Sequence, residues 1–195
     1  RDIGGFIADL KRYPVTAMTG VNTLFNALLN HPDFASIDFS TWKLTLGGGM
    51  AVQKAVADKW KAVTGCAIAE GYGLSETSPV ATANYADAKE FTGMIGLPIP
   101  STEIAILDDD GNPVPLGESG EIAIRGPQVM LGYWNDPEKT AEAIRDGWLL
   151  TGDVGHRRAD GYYVITDRKK DMLKPNGLNV YPREIEEVIY RFPGI

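Results

Sequence analysis

The chain has 195 residues, 44% of them hydrophobic, with 19 basic against 26 acidic side chains and a formal net charge of −7. That size suits one ordinary domain or parts of two, and a surface of that sign repels phosphate backbones, which argues against a nucleic-acid partner. The lone cysteine, Cys66, excludes an intrachain disulfide and fits a reducing compartment, and no apolar run reaches the roughly 18 residues a membrane span requires.

In chain order, residues 3–13 and 21–30 read as helices, with strand character in Val15–Thr19 between them. Trp42–Leu46 is a short alternating run that ends in Gly47-Gly48-Gly49. A helix is expected from about Ala51, because Val52, Val56, Trp60 and Val63 recur on one helical face. Cys66–Ala69 reads as a buried strand leading into Tyr72. Alternating helices and strands of this kind predict an α/β fold with parallel strands over about 1–95.

After Pro98 the texture changes. Ile104–Leu107 and Glu121–Arg125 are β-like and flank Asp108-Asp109-Asp110-Gly111-Asn112-Pro113, which is turn chemistry. A small antiparallel barrel or sheet is expected over about 97–133. Asp136-Pro137 opens a short helix, with the acid as cap and the proline at the first helical position. Gly161–Ile165 reads as a further strand, Asp167–Asp171 as a charged linker, and Pro182–Phe192 as an amphipathic helix. A start at Arg1 and a stop three residues after that helix suggest a piece of a longer protein.

The chemistry concentrates in Gly71-Tyr72-Gly73-Leu74-Ser75-Glu76-Thr77-Ser78-Pro79. A nucleoside triphosphate needs an aromatic face for the base, N–H and O–H donors for the phosphates, and a hard carboxylate oxygen for the accompanying Mg²⁺. Gly48 and Gly49 allow a ligand to touch main chain where a helix N-terminus offers N–H groups, although the same glycines suit a tight turn. Ser75 beside Glu76 serves a phosphate and its cation, or equally a helix cap. Asp153, in Leu150-Thr151-Gly152-Asp153, is able to accept from both hydroxyls of a ribose. Arg168, Lys170 and Lys174 form a cationic string, and Arg168 carries a planar fork suited to ribose or phosphate oxygens. A Walker-type loop and a Gly-x-Ser-x-Gly elbow are both missing, and two histidines with one cysteine make no recognisable zinc set.

Four segments together carry a resemblance: Gly47–Met50, Glu70–Pro79, Gly147-Trp148-Leu149-Leu150-Thr151-Gly152-Asp153, and Asp167–Pro182. In their order and spacing the chain resembles the adenylate-forming superfamily of acyl-CoA synthetases, luciferases and peptide-synthetase adenylation domains. Val21–Asn30 and Gly126–Trp134 look like bacterial long-chain fatty acid–CoA ligases in particular. The resemblance implies part of the large N-terminal domain of such an enzyme. About 1–95 would belong to an α/β subdomain, 96–168 to a β-rich subdomain, and 169–195 to the hinge and the start of a small C-terminal domain.

It also implies a reaction in two steps. A fatty acid carboxylate attacks the α-phosphate of Mg·ATP, and coenzyme A thiol then displaces AMP. Carried over by motif, Tyr72 stacks on adenine, and main chain around Gly48, Gly49, Glu70, Gly71 and Gly73 lines the adenine and acyl pocket. Ser75 contacts phosphate, Glu76 holds Mg²⁺, and Asp153 binds the ribose diol with help from Arg168. Lys170 sits at the hinge, Lys174 joins the cofactor contacts, and Gly177 lies along the path of coenzyme A. The phosphate loop and the adenylation lysine of the family are not in these residues, so the 195 residues alone are expected to be inactive. Asn176-Gly177-Leu178-Asn179 departs from the usual Ser-Gly element of the family. An acyl-AMP ligase that loads a carrier protein, a luciferase-type oxygenase and a non-catalytic nucleotide-binding module are the other readings. The resemblance points to the cytoplasm, with peripheral contact at the inner membrane face for fatty acid collection.

Overall fold

The computed structural model describes residues 2–171 and the helix at 182–189. It divides into two compact units: residues 1–75 with 79–96, and residues 76–78 with 97–195.

The first unit opens with α1 (Ile3–Arg12), whose start is capped by the Asp2 carboxylate accepting from the Gly5 N–H at 2.8 Å. Strands β1 (Ala17–Gly20), β2 (Leu44–Gly47) and β3 (Ile68–Gly73) pair in parallel in that order, and β4 (Val80–Ala83) adds to β3 antiparallel. Parallel neighbours need crossovers, and α2 (Asn22–Leu29) and α3 (Lys54–Thr64) supply them.

The face of α3 that carries Val56, Ala57, Trp60 and Thr64 is buried. The helix ends at Gly65, whose φ of 73° gives the left-handed cap that glycine adopts without steric cost. Trp60 is the hub of the core. Its ring meets Phe25 edge-on at 4.8 Å and Phe34 at 5.2 Å, and its indole N–H donates to Thr45 Oγ1 at 3.0 Å. Trp42 donates to the same hydroxyl at 3.0 Å, so Thr45 satisfies two buried indoles at once.

The second unit is antiparallel. After the two-residue β5 (Leu97–Pro98), β6 (Glu103–Leu107), β7 (Gly120–Arg125), β9 (Trp148–Arg157) and β10 (Tyr163–Arg168) pair in the order β10-β9-β7-β6, and the short β8 (Ile144–Arg145) pairs with β9. Ile122, Ala123, Ile124 and Leu149 are fully shielded. Asp108 closes the β6–β7 turn by accepting from the Asp110 and Asn112 N–H groups at 2.9 and 2.8 Å. Helix α4 (Pro137–Ala143) is capped by Asp136, which accepts from the Lys139 N–H. Helix α5 (Pro182–Ile189) leaves Ile185, Val188 and Ile189 exposed.

Three expectations change. The α3 helix starts at Lys54 rather than Ala51, because Ala51–Gln53 stay extended and Gln53 is the cap residue. Gly48 and Gly49 therefore do not sit at a helix N-terminus. The antiparallel sheet expected over about 97–133 does not end there: β9, a ten-residue strand, and β10 continue it through Arg168. Asp167 and Arg168 belong to β10 rather than to a linker.

Candidate functional site

In the first unit, the tips of β2 and β3 bring two glycine-bearing segments together. Gly48 donates its N–H to the Gly20 carbonyl at 3.1 Å, and a Cβ on Gly48 would stand 3.3 Å from the Gly71 carbonyl oxygen. Gly49 has a φ of 73°, a conformation that side chains disfavour.

Glu70 is buried at the parallel β2–β3 boundary, in register with Gly47. Its carboxylate accepts from the Val52 N–H at 3.2 Å, and its carbonyl accepts from the Asn84 N–H at 2.9 Å and the Asn84 side-chain amide at 3.0 Å. Glu70 thus anchors both the residues that lead into α3 and the chain beyond β4.

Tyr72 lies within β3 itself, buried and paired with Thr82. The glycines on either side of it differ in purpose. A Cβ on Gly71 would make ordinary contact, 3.5 Å from the Thr82 carbonyl. A Cβ on Gly73 would overlap the Pro79 carbonyl, so that glycine is required by the fold. Ser75 is exposed and opens a 3-10 turn at Ser75–Thr77.

The second unit contains Glu76, Asp153, Arg168 and Lys170. Glu76 is tethered twice. Its carbonyl accepts from the Met130 N–H at 2.8 Å, and its Oε1 accepts from the Tyr133 hydroxyl at 2.8 Å. That hydrogen bond to a carboxylate, followed by partial burial, holds the Tyr133 phenol above its ordinary pKa. One carboxylate suits Mg²⁺, which commonly takes one or two protein carboxylates and completes its shell with water and substrate phosphates. Glu76 fits that role, and no cluster of three metal-ligating side chains exists among the described residues.

Asp153 is 4% exposed. It sits opposite Arg168 in the β9–β10 register, and Arg168 Nε lies 3.1 Å from Asp153 Oδ1. The arginine side chain is half exposed, so the pair joins an inward carboxylate to an outward guanidinium. Just before it, Gly152 has a φ of 71° and interrupts the regular strand. Lys170 occupies the exposed turn after β10. Lys174 and Gly177 lie outside the described residues.

A cavity of about 660 Å³ opens on the second unit, lined by Asp109, Glu121, Tyr133, Trp148, Gly152 and Lys169 among others. Asp153 and Arg168 are not part of that lining. Tyr133, Glu121 and Lys169 are the contacts that residue spacing does not disclose, because each meets its partner across strands or loops far apart in sequence. Among the described residues no helix is long and apolar enough to cross a membrane.

Residues 1–134 match the model of the AMP-binding enzyme family. A long-chain-fatty-acid–CoA ligase from Yersinia pestis is 58% identical over 189 residues, covering 97% of this chain and 34% of that protein. The ligase of the same name from Bacillus subtilis is 45% identical over 187 residues, 95% of this chain and 33% of that protein. The chain thus spans about a third of the length of the curated relatives it matches. Among solved structures, the anthranilate CoA ligase AuaEII in complex with anthranoyl-AMP matches with a TM-score of 0.89 at 31% identity, over 99% of this chain and 37% of that one. ATP-bound MatB from Rhodopseudomonas palustris matches with a TM-score of 0.89 at 33% identity, over 100% of this chain and 39% of that one. The α/β unit and the antiparallel sheet are therefore pieces of the fold that these adenylate-forming enzymes share.

Proposed function

Because the chain belongs to the AMP-binding enzyme family, we propose that it is the nucleotide-handling part of an ATP-dependent long-chain fatty acid–CoA ligase. The observation that carries this reading is the Asp153–Arg168 pair, a shielded carboxylate backed by a half-exposed guanidinium, in a chain 58% identical to a ligase of that name. A carboxylate so placed accepts from two vicinal hydroxyls, and the adjacent guanidinium pairs with it and fixes its orientation.

In this reading a fatty acid carboxylate oxygen bonds to the α-phosphorus of ATP as the bond to the β-phosphate oxygen breaks and pyrophosphate leaves. The thiol sulfur of coenzyme A then bonds to the acyl carbon, the C–O bond to AMP breaks with its electron pair, and the thiol proton is released. Bound Mg²⁺ neutralises phosphate charge. Tyr72 offers its ring to adenine, while main chain at Gly48, Gly49, Glu70, Gly71 and Gly73 forms the wall beside it. Ser75 donates to a phosphate oxygen, and Glu76 presents the metal-binding carboxylate, oriented by Tyr133. Asp153 and Arg168 hold the ribose. Lys170 is the pivot in the hinge that begins near residue 169 and leads into a smaller domain, and Lys174 and Gly177 serve the cofactor side of that domain. The protein works in the cytoplasm and collects its long-chain substrate by peripheral contact with the inner membrane face. These 195 residues alone do not turn over, in line with their share of the relatives' length.

The test uses the intact protein that contains this chain. Pyrophosphate–ATP exchange should depend on long-chain fatty acid, and free coenzyme A should be converted to acyl-CoA. Asp153→Ala should weaken AMP binding by about tenfold to a hundredfold, the range of a lost charge-assisted hydrogen bond. Exchange without acyl-CoA formation would point to a carrier-protein acceptor, and no fatty acid-dependent exchange would overturn the reading.

A further inference from the structure

The Gly152–Asp153 peptide segment is held by two residues to which the reaction above assigns no part. At Gly152 the strand leaves its ladder: the β7–β9 register shifts between Glu121 and Ala123, and Gly152 takes a positive φ of 71°. A bulge of this kind frees backbone groups that need other partners. Glu121 Oε1 accepts from the Gly152 N–H at 3.0 Å. The Lys169 N–H donates to the Gly152 carbonyl at 2.8 Å. The ring is closed by side chains, since Lys169 Nζ donates to Glu121 Oε2 at 3.0 Å. Asp109 braces Lys169 from outside at 2.9 Å. The Glu121 side chain is only 12% exposed, so its charge is poorly screened by water. Asp153 follows Gly152 directly, and its partner Arg168 directly precedes Lys169.

We propose that Glu121 and Lys169 are positioning residues that clamp the Gly152 peptide and thereby aim the Asp153 carboxylate and Arg168 at the ribose of the nucleotide. The clamp acts through the backbone and touches no substrate. It ties β9, which carries Asp153, to β7 and to the end of β10 at the point where the β7–β9 register shifts. The proposal rests on the reading of Asp153 as the ribose ligand.

The test is a comparison of AMP with 2′,3′-dideoxy-AMP by calorimetry on the intact protein. Wild type should prefer AMP by tenfold or more. Glu121→Ala should reduce that preference to about twofold or threefold while dideoxy-AMP affinity stays within twofold. Lys169→Met and Glu121→Gln should fall between, because Lys169→Met keeps the backbone donor and Glu121→Gln keeps an acceptor for Gly152. Thermal unfolding checks that each variant folds, and if Glu121→Ala does not, Glu121→Gln and Lys169→Met carry the test. An undiminished AMP preference in the folded variants overturns the clamp. A wild type that shows no preference for AMP overturns the reading of Asp153, and the clamp's role with it.

Discussion

The two units secure their candidate residues by different physics. In the first, Gly73 is placed by steric necessity, Gly71 by strand pairing and Gly48 by a main-chain hydrogen bond to Gly20, in a unit whose aromatic core centres on Trp60. In the second, Glu76, Asp153 and Gly152 are each held by a hydrogen bond or ion pair that involves a charged side chain. Close packing tolerates changes of salt and pH but not of volume. Charged contacts tolerate changes of shape but respond to salt and protonation. One chain thus combines a volume-sensitive region with a charge-sensitive one.

The comparison breaks most visibly at Trp60. Trp60→Ala should cost about 3–5 kcal/mol in urea unfolding, since it empties the core and strips the Thr45 hydroxyl of a donor. A smaller loss would mean that the aromatic cluster is not the main support of the first unit. Gly73→Ala comes next, at about 1–3 kcal/mol, because the added methyl overlaps the Pro79 carbonyl and the backbone must shift. A neutral Gly73→Ala in the same assay would remove the steric account of that glycine.

Tyr133→Phe should cost about 1 kcal/mol or less, the usual worth of one partly exposed hydrogen bond. The same contact has a pH signature. The folded-state pKa of Tyr133 is raised, so its contribution is fully present below the unfolded value near 10 and disappears as pH rises through the higher folded value. Tyrosine ring-carbon NMR titration should show this residue ionising late, and Glu76→Gln should move it back toward the ordinary value. No movement would mean that the Glu76 carboxylate does not hold the phenol.

The smallest effect sharpens the contrast most. Raising salt to about 0.5 M should weaken the Glu121–Lys169 contact by under about 0.5 kcal/mol. Amide hydrogen exchange at Gly152, whose N–H rests on a carboxylate, should quicken slightly. Exchange at Gly48, whose N–H rests on the Gly20 carbonyl, should not change. Equal responses at the two glycines would erase the distinction between the units.

Much of this was legible in the residue order. The alternation of apolar runs and glycines placed β1, β2 and β3 and their crossover helices, and Asp136-Pro137 marked the start of α4. The start of α3 was misplaced because Val52 lies on the helical stripe yet packs from an extended segment, where its N–H donates to Glu70. Strand β9 was hidden because Gly152, Asp153 and Gly155 break the alternation that signals a strand, and cross-strand partners keep Asp153 and Gly155 in the ladder. Lys169 looked like one more solvated charge in Asp167–Asp171 until Glu121 and Asp109 came to face it.

What the sequence determined by itself was local and chemical: which segments bury an apolar face, where glycine or an acidic cap ends an element, and which residue types suit a nucleotide. Those properties depend on neighbours within a few positions, so they survive being read along a line. The tertiary structure alone decided that Gly73 is required by Pro79, that Tyr133 grips Glu76 and that Glu121 and Lys169 close around Gly152. Each of these depends on a distance of a few ångströms between groups brought together by strand register or loop closure.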